Sequence, residues 1–135
     1  MSDRQKHLEL IQGVINRLST NSFQVKSWSV VIASALFALA ASGKDHEVVW
    51  VALFPAIVLW GLDGYFLRQE RLFRKLYDRV RLSKDEEIDF AMDTSPFATE
   101  VSGWRGTCLS HTLLPFHGVV VAVILFTAII AGLSC

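Results

Sequence analysis

One stretch constrains this chain more than any other: VVWVALFPAIVLWGLDGYFLRQERLFRKLYDRVR, residues 48–81. It begins as an apolar run and ends as a basic amphipathic helix, with no break between the two. The run from Val48 to Leu67 is about 20 residues, which at roughly 1.5 Å per residue matches the ~30 Å of a bilayer core. Arg68, Arg71, Arg74, Lys75, Arg79 and Arg81 follow at once, a burst of positive charge of the kind that stays in the cytoplasm. A single segment therefore predicts a span, its depth and its direction.

The rest of the chain extends that reading. Hydrophobic residues make up 52% of the sequence, and 13 basic residues balance 13 acidic ones. The balance hides a segregation: charges are excluded from three blocks and concentrated between them, the layout of a multi-span membrane protein. The expected fold is all-α, an integral membrane protein with three transmembrane helices. An amphipathic N-terminal helix occupies residues 1–22, with Asp3 as its cap and Leu8, Ile11, Ile15 and Leu18 at helical spacing. Ser19, Thr20, Asn21 and Ser22 form a polar break or weak point after it. A helical hairpin of two spans covers 23–67, with a tight turn through Gly43-Lys44-Asp45-His46-Glu47. A charged helical loop covers 68–111, and the third span lies within 112–135. The first apolar block carries no cleavage site, so it serves as an uncleaved anchor.

Orientation follows from counting basic residues. Twelve lie before the first span, beside its start (Lys26) or between the second and third spans, and only Lys44 lies in the short turn. That bias puts the N-terminus and the long loop in the cytoplasm and the C-terminus in the periplasm.

Several residues stand out within this plan. The first span is rich in small side chains, and Ser29 with Ala33, and Ser34 with Ala38 and Ser42, recur four apart. Such spacing lets helix backbones approach closely in lipid and favours a homo-oligomer. Pro55 predicts a kink in the second span. Asp63, in the apolar context GLDGYFL, carries the most information. A carboxylate in hydrocarbon costs about 2.5–3.5 kcal/mol at mid-span and less near the interface. Either it pairs near the inner headgroups with Lys26 or Arg68, or it lines or gates a pore together with the Pro55 kink. The basic residues from Arg68 to Arg81 suit lipid headgroups or a cytoplasmic partner, while nucleic acid is disfavoured because no glycine or aromatic platform accompanies them. Ser83-Lys84-Asp85-Glu86 has the capping-box pattern of a short acidic helix running to about Met92. Trp104 and Arg105 read as an anchor where the chain re-enters the membrane.

No catalytic site, cofactor or metal is expected. Cys108 and Cys135 combine with none of the four histidines in a ligand pattern. Arg105 and His111 share the loose R-x5-H spacing of a HEPN ribonuclease motif, but two defined positions beside a membrane re-entry point read better as interfacial anchors. His117, near the start of the last span, reads as interfacial packing.

Two stretches, NSFQVKSWSVVIASALFALAA (21–41) and FPAIVLWGLDGYFLRQERLFRKLYDRVR (54–81), resemble a family of small, largely uncharacterised bacterial multi-span membrane proteins. The overall plan is similar to the SLATT-type membrane effectors of anti-phage defence systems, although the third span departs from their usual two-span unit. The resemblance implies an effector or pore-forming component of the bacterial inner membrane, oligomeric and switched on by a cytoplasmic sensor. The alternative is a non-conducting membrane anchor or regulatory subunit that recruits a cytoplasmic partner.

Overall fold

The computed structural model describes residues 1–43 and 47–133. Lys44, Asp45 and His46 of the expected turn, and Cys135, lie outside the described residues. The chain is all-α: α1 spans Asp3–Ala41, α2 Val48–Val51, α3 Leu53–Arg81, α4 Trp104–Cys108 and α5 Leu114–Leu133. Three segments, Asp3–Ala41, Val48–Arg81 and Leu114–Leu133, are long and apolar enough to cross a membrane.

The expected N-terminal helix and first span are one continuous helix. Ser2, rather than Asp3, caps it. Its hydroxyl accepts the Gln5 N–H at 3.2 Å while the Gln5 side chain accepts the Ser2 N–H at 3.1 Å, a reciprocal capping box. The polar run at 19–22 does not interrupt α1, because its hydroxyls find partners without leaving the helix. Thr20 donates back to the Asn16 carbonyl at 3.0 Å, Ser19 donates to Glu70, and Ser22 to Asp63. Polar residues that compete with a helix when unpartnered become its seam when a second helix supplies acceptors.

That second helix is α3, antiparallel to α1. At the polar end of the pair, Ile11 and Ile15 pack against Leu72, Leu76 and Val80, with Phe97 closing the cluster. At the apolar end, Val49, Ala52 and Ala56 pack on Ile124 and Ala128 of α5. The Pro55 effect appears three residues earlier than the expected kink. The helix is interrupted at Ala52, and Pro55 becomes the third residue of α3, a first-turn position where its missing N–H leaves no bond unmade.

The acidic segment also departs from expectation. Only Asp85–Glu87 forms a short 3-10 turn. Asp85 accepts the Arg4 N–H at 3.0 Å, so it serves the start of α1 instead of a helix of its own. Asp89 accepts the Ala91 N–H at 3.0 Å, and Phe90 takes a left-handed φ of 56°. Both features stop helix propagation. The segment folds as a strap across the polar end of α1 and α3.

Candidate functional site

Asp63 lies where the two apolar clusters separate. It is completely buried, and its carboxylate gathers groups from all three long helices. From α1, Lys26 Nζ approaches Oδ2 at 2.7 Å and Ser22 donates to Oδ1. From α5, His117 Nε2 approaches Oδ2 at 2.7 Å. Lys26 also donates to Ser22 Oγ at 2.8 Å. The Lys26 side chain is 24% exposed, so its stem runs from the buried carboxylate towards the surface. His117 Nε2, facing a carboxylate oxygen that can only accept, completes the centre as a hydrogen-bond donor. Of the two partners considered for Asp63, the structure supplies Lys26. Arg68 lies nearby in sequence with its Nε buried and unpartnered.

Aromatic rings and glycines hold this centre in place. Trp60 stacks on the His117 ring at 5.8 Å, almost parallel at 8°, and Phe116 meets the same ring edge-on at 5.1 Å. The Trp60 indole donates to the Cys108 carbonyl at 2.9 Å, and the Trp104 indole donates to the Gly61 carbonyl at 2.8 Å. These two bonds clasp α4 to α3. The clasp depends on Gly64, where a Cβ would fall inside the van der Waals radius of Cys108 Sγ, and on Gly61, where it would reach 3.0 Å from the Trp104 ring. Burial, and then the negative charge of Asp63, push the Cys108 thiol up from its ordinary value, so it stays protonated at neutral pH.

Depth follows from helix rise. Asp63 is about 15 residues from Val48 and His117 about 16 from Leu133, or roughly 22–24 Å from the apolar end along each helix. In a ~30 Å hydrocarbon slab the centre therefore sits within about two turns of the polar boundary.

The other residues singled out in the sequence are dispersed. Pro55 is half-buried beside an apolar surface groove with Trp28 and Phe54. Ser29 is buried and donates back to the Val25 carbonyl at 3.1 Å; Ala33 is half-buried, while Ser34, Ala38 and Ser42 are exposed. Among the basic residues, Arg74 meets Glu70 at 3.5 Å, Arg81 meets Asp78 at 3.8 Å, and Arg79 lies over the Phe97 ring at 5.9 Å. Arg71 is half-buried and Lys75 exposed, as are Arg105 and His111.

Sequence reasoning missed Ser22 and His117 as partners of Asp63. The available signal was depth: a carboxylate in an apolar block needs donors at its own level, and there Ser22 borders the first block while His117 interrupts the third. Chemically, the centre can hold charge and a proton. Its geometry does not pair a nucleophile with a base, because Ser22 and His117 bind opposite oxygens of one carboxylate. Among the described residues no group of three His, Cys, Asp or Glu side chains could hold a metal ion. No family model, curated protein or solved structure matches the chain.

Proposed function

We propose that this chain is a non-conducting anchor or regulatory subunit of a bacterial inner membrane, which presents its polar end to a cytoplasmic partner. One observation carries the reading. The buried acid of the apolar region is closed within a single subunit by Lys26, Ser22 and His117, so it offers no free polar surface to a conduit. A buried, fully partnered carboxylate contributed to by three helices fixes their relative position. The bias of basic residues, with Arg74, Lys75 and Arg79 exposed at the polar end, supports a cytoplasmic position for that end.

A specific observation favours a second reading, the oligomeric defence effector that perturbs the membrane when activated. Ser34, Ala38 and Ser42 face outward from α1, and nothing within the described chain uses the close approach they allow. Inducing the chain in bacteria while following membrane potential and dye entry separates the two. The anchor predicts an intact potential at confirmed membrane expression, for the parent and for Asp63→Asn alike. Rapid depolarisation by the parent, relieved by Ala38→Leu, would sink the anchor in favour of the effector.

A further inference from the structure

At the polar end, away from the Asp63 centre, the strap of residues 83–97 and the ends of α1 and α3 enclose a cleft of about 310 Å³. His7 lines it and is 1% exposed. The His7 Nε2 proton is committed to the Ala91 carbonyl at 2.9 Å. Its Nδ1 is buried without a partner and, in the neutral ring, is a bare acceptor. A buried acceptor in that state asks for a donor, and the strap surrounding it supplies none.

The rest of the lining defines what kind of donor fits. Glu87, Asp89 and Asp93 bring three carboxylates, and Leu76, Val80 and Ile88 add an apolar wall. Asp89 and Asp93 each use Oδ1 to hold the strap, accepting the N–H groups of Ala91 and Ser95 at 3.0 Å, which leaves Oδ2 of each open to a ligand. The cleft's cation, Arg79, is held over the Phe97 ring at 5.9 Å. Acceptors and aliphatic wall together match a chain of methylenes ending in an ammonium group.

We infer that this cleft is a binding site for a small alkylammonium ligand, whose N–H groups satisfy His7 Nδ1 and the strap carboxylates while its methylenes cover the apolar wall. The same chemistry is carried by a free aliphatic diamine and by the lysine side chain of a partner protein. The inference is independent of whether the spans conduct.

The test is calorimetric titration of the detergent-purified full chain with putrescine and, separately, with Nα-acetyl-lysine amide. Saturable binding is expected for at least one of the two. Tighter putrescine binding assigns the group to a free amine, and tighter lysine-amide binding assigns it to a partner's side chain. Glu87→Gln, an exposed change that spares the fold, should weaken binding roughly tenfold, as loss of one charged hydrogen bond does. Nitrogen NMR of the histidine rings should show His7 Nδ1 moving from a free to a hydrogen-bonded acceptor on saturation. Absence of saturable heat with both probes overturns the inference. So does binding that Glu87→Gln leaves unchanged, binding that magnesium displaces equally at matched ionic strength, or an Nδ1 signal that stays still.

Discussion

Two histidines of this chain, His117 and His7, are equally buried at 1% exposed, yet they hold opposite positions. His117 sits between helices that cross the apolar region, stacked on Trp60, with Nε2 directed at a charged carboxylate. His7 sits at the polar end, with Nε2 on a backbone carbonyl and Nδ1 unpartnered. Burial alone therefore says little about a polar residue. What separates a structural clasp from an open site is whether the surrounding elements complete its hydrogen bonds, since an unmet buried acceptor costs about 1–3 kcal/mol.

The comparison breaks most sharply at the carboxylate. Asp63→Leu removes the common acceptor of Lys26, Ser22 and His117 and should lower stability in detergent by about 3–5 kcal/mol, as breaking a buried pair does. The partial exposure of Lys26, which lets its ammonium swing towards water, pulls the loss towards the lower figure. Thermal unfolding followed by circular dichroism reads it. A change no larger than that of a surface substitution would mean the centre does not hold the spans together.

Gly64→Ala should rank next. The added methyl meets Cys108 Sγ and forces α4 off α3, costing about 1–3 kcal/mol by overpacking. Adding Cys108→Gly should restore most of the loss, because the clash is with one atom. Failure of that rescue, in a double-mutant cycle by the same unfolding measurement, would place the strain elsewhere.

The two histidines test the contrast itself, and the smallest effect belongs to His7. His117→Phe removes one hydrogen bond to a charged group and should cost about 1.5–3 kcal/mol, comparable to Gly64→Ala. His7→Phe gives up the bond to Ala91 but also removes an orphaned acceptor, so its effect should stay within about 1 kcal/mol. Equal losses at the two positions would erase the distinction drawn between them.

Much of this molecule was legible in the chain. The apolar blocks, the continuation of the second span into a basic helix, and the stripe of Leu72, Leu76 and Val80 all follow from local periodicity, which a helix reads out residue by residue. The capping-box pattern at Ser83 misled, because Asp85 turned to the distant Arg4 N–H, and a local motif cannot compete with a tertiary donor already in place. The polar run at 19–22 misled for the same reason, its hydroxyls being satisfied by Glu70 and Asp63.

By itself, then, the sequence determined that three helices are long and apolar enough to cross a membrane and that Asp63 had to find partners. Which partners it found was decided only by tertiary packing. Ser22, Lys26 and His117 belong to segments far apart in the chain. The Gly61 and Gly64 contacts with α4 help fix the level at which α5 starts, and so bring His117 to Oδ2. Hydrophobic periodicity sets how each helix faces. It carries no information on the axial registry between helices, and a hydrogen bond of 2.7 Å depends on registry finer than one helical turn.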